Sequence, residues 1–539
     1  MNDKSPLQLS LFKSFLLATI TASLPSANIA YSQTISSDSS LFNYPSKSTG
    51  LSRLKSSDLQ LLKAVRQFQN KTLSPQNVVP LSLVQTAQAT FNRNPQLLAA
   101  VETVRESGLS FVAAKNTWNP TLSFTSSTLP GFQYTTNYSH QNDTAQPTPD
   151  SISINRTGAT TSDNSSVGLA SIDSILRWSF LDFSRQPNIN NYANQYDAQK
   201  YVLTSTARQI LSNIQTLYVD LQAQKQLVDT YSKIVDSLSE NVTFIKARQQ
   251  IGLVSSLDVS QSESQLYNSI TQLTDAIQGY RQISDRLAAI VSLPSQSLIL
   301  PTDELSIDTP WDLSLDHSVQ AALENNDNIL QNLLLASASK WQGIYYLNQT
   351  LPRLSLSLST SFSPSSTHKN VNTIQYGDTY SVANNSSNDR WSESTNIAAF
   401  LGFTWNIFEG GVNTSNAASQ FSRSESYKYT VQNQRNQLTS DVRSNFSALE
   451  SNTLSLRSAD ESVRSSYEAY RAAVARFSVG LANVTTINQT VQSYQSAVQA
   501  RTSSIQRYNT ALALLYKDTA IWPANLKQIA LGFLSSHSY

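Results

Sequence analysis

The 539-residue sequence contains no cysteine, which excludes disulfides, thiolate metal sites and a lipid-modified N-terminal cysteine. Its absence also suits an oxidising compartment. Charge is scarce: Asp, Glu, Lys and Arg make up 14% of the chain, with 38 basic residues against 37 acidic ones. Phosphate binding needs clustered basic residues and none occur, so no nucleic acid partner is expected. Past the N-terminus no segment approaches the ~20 apolar residues that span a bilayer as a helix. No P-loop or Rossmann glycine pattern occurs, and no G-x-S-x-G turn exposes any of the many serines. His140, His317, His368 and His537 are scattered without metal-ligand spacing. The sequence therefore predicts no catalytic residue, no metal and no cofactor; any energy source must come from a partner.

What is present begins with an export signal. Lys4 and Lys13 precede the apolar run Phe15 to Ile20, and small residues follow at Ala30 and Ser32. This is the pattern of a cleaved secretory signal over residues 1–32. An exported chain without a helical span must make any membrane crossing with strands. Residues 33–80 form a polar extension, expected to be a disordered spacer. The alternative is a short amphipathic helix over Leu51 to Phe68.

The rest of the chain is duplicated. "LSLVQTAQATFNRNPQLL" from Leu81 aligns without gaps to "LSLDHSVQAALENNDNIL" from Leu313. The same shift carries "PTLSF" at Pro120 onto "PRLSL" at Pro352. Further along, "RWSFLD" falls on "TWNIFE", and "ARQQIGLV" from Ala247 falls on "ARFSVGLA" from Ala475. The repeats are taken as 81–294 and 313–523, with a linker at 295–312 and a tail at 524–539.

Each unit reads as helix, strand, polar loop, strand and two long helices. From Pro352, "PRLSLSLSTSFS" places Leu354, Leu356, Leu358 and Phe362 on one face and serines on the other. Strands are expected at about 120–130, 167–182, 352–363 and 396–409. Between them, roughly 131–166 and 364–393, the Ser-, Thr- and Asn-rich runs read as solvated loops. Trp178 and Trp405 lie near strand ends, where an interfacial aromatic girdle would sit. No proline interrupts residues 188–293 or 365–522. Apolar residues from Ile210 to Ile245 step by threes and fours, the seam of a left-handed coiled coil. Gly252 and Gly480 break the two coils in register and mark the tips of helical hairpins.

The fold class expected is an α+β membrane protein, with four transmembrane strands and long coiled-coil helices per chain. Barrels start at about eight strands, and an open edge in lipid leaves backbone groups unsatisfied. Several chains must then share one barrel.

In its duplication, its Asn-Pro-x-Leu, its "TWNIFEGG" and its paired "GLV" and "GLA" turns, the sequence resembles the TolC-type outer membrane efflux proteins over about Leu81 to Pro523. The resemblance implies a homotrimer in outer membrane lipid, with a twelve-stranded barrel above a periplasmic α-helical barrel. It also implies docking on a periplasmic adaptor (membrane fusion) protein and an inner-membrane RND or ABC transporter, for efflux or type I secretion. Adaptor contact would fall on Gly252, Leu253, Gly480 and Leu481, and the periplasmic gate on Phe477, Ala482, Thr486 and Gln489. Members of the best-known subgroup carry acids at the last two positions; Thr486 and Gln489 are neutral, so weak binding of di- and trivalent cations is expected. Asp258 stands six after Gly252 in the outer hairpin, either near the gate or as a solvated first-turn acid. A coiled-coil envelope spacer or adhesin, and a passive porin, remain as alternatives.

Overall fold

The computed structural model describes residues 56–73, 77–144, 156–294, 297–377 and 380–537. The expected export signal and residues 33–55 of the polar extension lie outside them. In chain order the elements are α1 (Ser56–Leu73), β1 (Asn77–Leu81), α2 (Leu83–Arg93), α3 (Pro95–Asn116), β2 (Thr121–Thr144) and β3 (Arg156–Asp182). Next come α4 (Arg185–Gln250), α5 (Ser256–Val291), β4 (Ser297–Pro301), α6 (Leu315–Asn325), α7 (Asp327–Asn348), β5 (Arg353–Gly377) and β6 (Tyr380–Thr404). The chain ends with α8 (Val412–Ser478), α9 (Val484–Asp518) and α10 (Lys527–Ser536).

The duplication is visible in single residues. Asn94 ends α2 and caps α3, its Oδ1 accepting from Leu97 N, with Pro95 at the first helical position. Asn326 does the same between α6 and α7. Each asparagine also donates its Nδ2 to a carbonyl at the end of the following hairpin: Asn94 to Ile290 and Asn326 to Asp518. The single leading helix expected in each unit is therefore two, split at a shared cap.

At 66 residues α4 runs about 100 Å. Its seam, including Ile210, Ile214, Leu221, Val228, Tyr231, Val235, Leu238, Val242 and Ile245, is buried against neighbouring helices. One apolar core runs along α4 and α5 and continues to the lower ends of α8 and α9; a second joins α6 to α9. In the helical layer α4 packs on α3, α5, α7 and α9, whereas α8 packs on α6, α7 and α9 and buries far fewer side chains.

The four long strands form one antiparallel sheet in the order β2-β3-β5-β6. Here two expectations fail. The described residues of the runs read as loops, 131–144, 156–166, 364–377 and 380–393, are strand, so that each strand is 24 to 27 residues long. Their serines, threonines and asparagines lie on both faces; no two-residue hydrophobic period remains to announce them, although the ladder continues unbroken. The last strand also stops short of 409: β6 ends at Thr404, because β5 begins at Arg353 opposite it and offers no further partner. Trp405 lies just beyond.

The extension is not wholly a spacer either. Within it, α1 packs Leu59 and Leu62 on the core, buries Val65, and pairs Arg66 with Asp236 at 2.9 Å. Beside it β1 pairs in parallel with β4.

Candidate functional site

Two regions carry the chemistry the sequence pointed to: the turns between the long helices, and the faces of the sheet. At the first turn Gly252 adopts φ +77° and at the second Gly480 adopts +81°. Leu253 N donates to Arg248 O and Leu481 N to Arg476 O, closing both helices the same way. Placing an L-residue in this left-handed region costs about 1–2 kcal/mol. Gly480→Ala is therefore expected to raise the rate of limited proteolysis at this turn roughly tenfold, with the heat resistance of the assembled protein little changed. The turns present Ile251, Leu253, Val479 and Leu481 to solvent; Leu481 is 79% exposed.

The helices that follow start with matched caps. Ser255 caps α5 in a capping box with Asp258, whose carboxylate accepts from Ser255 N and Oγ. Asn483 caps α9, its Oδ1 accepting from Thr486 N and Oγ1. Asp258 and Thr486 are thus equivalent positions, both engaged in capping. Gln489 is exposed, while Ala482 is half-buried against the core and Phe477 is buried.

What the sequence did not signal is how the hairpins hold each other. Arg248 Nη1 donates to Phe477 O at 3.0 Å, and its guanidinium lies 5.5–5.6 Å from the rings of Phe477 and Phe244. Those rings meet edge to face at 6.1 Å. Above this latch runs a ladder of neutral groups. Gln261 accepts from Thr485 through its side chain and from Asn488 through its carbonyl. Gln492 donates to Gln265 at 2.9 Å and Gln495 to Ser269 at 3.0 Å. The only available signal was glutamine recurring at helical spacing in both hairpins.

Higher up, Arg208 on α4 pairs with Asp327 at 2.8 Å and lies 4.0 Å over the ring of Trp522. Beside them Asp518 accepts from Asn445; burial pushes its carboxyl up from the ordinary aspartate range, opposed by Lys517. A group with a raised native pKa binds more protons folded than unfolded, so its contribution weakens as pH rises from the ordinary aspartate range through the raised value. Asp518→Asn is expected to stabilise the protein near pH 7. Acidification toward pH 5 should stabilise the wild type more than this variant, read as melting temperature.

The register sorts the sheet into two faces. One carries the rows Leu181·Leu354·Phe403, Trp178·Leu356·Leu401, Leu122·Leu176·Leu358·Ala399 and Ile172·Phe362·Thr395. The other carries Ser179·Ser355·Gly402, Thr121·Arg177·Ser357·Phe400, Ser123·Ile175·Ser359·Ala398 and Thr125·Asp173·Ser361·Asn396. Trp178 lies at the lower end of the apolar face, its indole N–H donating to Trp118 O. Ten residues up β5, about 33 Å along the strand, the same face carries Phe132·Gly168·Ser366·Trp391. Phe132 and Trp391 were hidden in the runs read as loops. β2 and β6 are paired on one side only.

Among the described residues no helix is long and apolar enough to cross a membrane, and no three His, Cys, Asp or Glu side chains are grouped to hold a metal. A family model described as "Outer membrane efflux protein" matches residues 86–292 and 319–519. The chain belongs to that family. The two matched segments fall in the two repeats, and the members are transport ducts of the outer membrane rather than an enzyme class. Three solved structures share the fold. The Campylobacter jejuni CmeC outer membrane channel is 15% identical, with a TM-score of 0.59 over 81% of this chain and 85% of that one. The open state of the Neisseria gonorrhoeae MtrE outer membrane channel is 15% identical, with a TM-score of 0.56 over 81% and 89%. The outer membrane protein VceC from Vibrio cholerae is 14% identical, with a TM-score of 0.55 over 81% and 95%. No curated protein matches the chain. This efflux protein is thus homologous to components of tripartite efflux systems, with the mixed α+β architecture of that family.

Proposed function

We propose that this efflux protein is the exit duct of a tripartite efflux or type I secretion system, working as a homotrimer without covalent chemistry. The observation that carries the reading is a four-stranded sheet with one leucine-rich face, one serine-rich face and two open edges. Three copies joining β6 of one to β2 of the next give twelve strands and leave no unsatisfied edge in lipid. Leucines then meet lipid and serines line a watery bore. The sparsely buried α8 supports the same arrangement, since the neighbouring copy covers the side it leaves open.

In this reading the long helices continue the duct into the periplasm. The exposed apolar turns at Ile251 to Leu253 and Val479 to Leu481 take the periplasmic adaptor, and an inner-membrane RND or ABC transporter supplies energy. The narrowing at the tips falls on Thr486 and Gln489, which carry no charge to concentrate cations. A spacer or adhesin has no use for the leucine belt.

Single-channel conductance of the purified protein in planar bilayers tests the proposal. Discrete steps that resist an added trivalent cation are the expected result. Strong block would place acidic side chains at the entrance in addition to the neutral Thr486 and Gln489. A verified trimer that gives no steps, even when its tips are loosened by Arg248→Ala, would overturn the duct.

A further inference from the structure

The strands are more than twice as long as a crossing needs. A tilted transmembrane strand takes about 9–11 residues, and the stretch of β5 between the rows of Trp178 and Trp391 already supplies that. At the usual strand tilt the ~33 Å between these rows becomes about 25 Å of depth, the height of an apolar barrel band with aromatic girdles at both edges. Yet β5 continues to Gly377, paired on both sides until near its end. Those further eleven residues lift the sheet about 25 Å above the upper girdle.

The two faces of this upper half differ. Its outward rows are Tyr134·Ser166·His368·Asp389, Thr136·Asn164·Asn370·Ser387, Tyr138·Ser162·Asn372·Asn385 and His140·Thr160·Ile374·Ala383. His368 and Asp389 are hydrogen-bonded to each other, as are His140 and Thr160. Lys369 and Arg390 are both in inward rows, and Lys369 pairs there with Asp163 at 2.7 Å. These outward rows thus carry hydroxyls, carboxamides, the His368–Asp389 pair, His140 and two exposed tyrosine rings, Tyr134 at 63% and Tyr138 at 72%, with no lysine or arginine among them.

The tyrosines keep the outward face across two irregularities in β2, between Thr125 and Thr128 and between Thr128 and Gly131. One bulge would turn every later side chain into the bore; two restore the original parity. The rings therefore stand on the same face as Leu122 and Phe124, a strand-length higher.

Resting on the duct reading, we propose that this upper half is a rigid collar that carries the exit through a layer of uncharged polysaccharide, and that its outer face binds such a chain through Tyr134 and Tyr138. Exposed rings offer flat apolar surfaces to the C–H faces of sugars, and Asn370, Asn372 and Asn385 offer both donors and acceptors to their hydroxyls. Lipid tails do not suit this face, since rows of carboxamides would lose their water. Anionic headgroups or acidic polysaccharides do not suit it either: Lys369 and Arg390 lie in inward rows, and an outward row carries the Asp389 carboxylate. Arg156, beside Thr144 at the top, is the one arginine or lysine at an outward position among the described strand residues of this upper half.

Affinity electrophoresis of the full-length trimer in detergent tests the inference, in gels containing dextran, mannan or a neutral galactan, with dextran sulfate as the charged counterpart. At least one neutral polymer should slow the protein at least threefold. Tyr134→Ala with Tyr138→Ala should abolish the retardation, and the double Phe variant should keep it, both at unchanged heat resistance and conductance. No retardation by any neutral polymer, equal retardation of the double Ala variant, or preference for dextran sulfate would overturn it. A wild type that conducts but is not retarded loses the collar's partner and keeps the duct; a tip-loosened trimer that never conducts loses the duct reading first.

Discussion

Replacing Arg248 by alanine is expected to raise single-channel conductance several-fold and to admit large antibiotics into cells without any adaptor. The side chain makes one charge-assisted hydrogen bond, to Phe477 O, and lies beside the rings of Phe244 and Phe477. Such a bond contributes about 1.5–3 kcal/mol and an exposed cation–π contact about 0.5–1 kcal/mol. Losing them shifts an equilibrium between joined and splayed tips by about 2–4 kcal/mol, or some thirty- to several-hundred-fold. Arg248→Lys should recover part of the effect, because an ammonium still donates but stacks less well. Removing ladder members is expected to do less. Gln492→Ala breaks one neutral bond to Gln265, about 1 kcal/mol. If the arginine variant conducts like the wild type, the link between the hairpins does not limit opening.

The second large effect concerns the sheet. Phe362→Arg is expected to cost about 2–4 kcal/mol of assembly in the membrane, the range measured for a cation on the lipid face near the bilayer midplane. Phe362 lies in the row Ile172·Phe362·Thr395, near the middle of the stretch between the lower and upper aromatic rows. Heat-resistant oligomer in the outer membrane fraction should fall at least thirty-fold. Ser361→Arg, one residue before it but facing the other way, should assemble normally and instead reduce conductance. Equal assembly of both variants would reverse or erase the assignment of the two faces.

These two neighbours show how much of the molecule was legible in the sequence. The alternation from Leu354 to Phe362 set the faces, since only one of them is greasy. The coiled-coil seam from Ile210 to Ile245 and the turn glycines were legible because burial and positive φ each restrict residue choice. The upper strand halves were not, because a strand wet on both faces leaves no period. Asp258 was open to two readings, and its reciprocal bonds with Ser255 place it in a cap. The glutamine ladder escaped notice since solvated helical faces are also rich in glutamine; only the opposing hairpin distinguishes the two. Helix α1 falls in the extension expected to be a spacer, with an amphipathic helix over Leu51 to Phe68 as the alternative; Leu59, Leu62 and Val65 are enough to dock it once α5 provides a surface.

The serine-lined face bears on how fast cargo leaves. A wall of small hydroxyls, with Ser355, Ser357, Ser359 and Ser361 side by side along one strand, sets the charges of the neighbouring strand, Arg177 and Asp173, apart and with opposite signs. Every 1.4 kcal/mol of attachment lengthens a dwell tenfold, so a transit path built from weak, interchangeable hydrogen bonds keeps each stop brief whatever passes. Molecules of either charge then share one throughput, set by how often the inner end admits them.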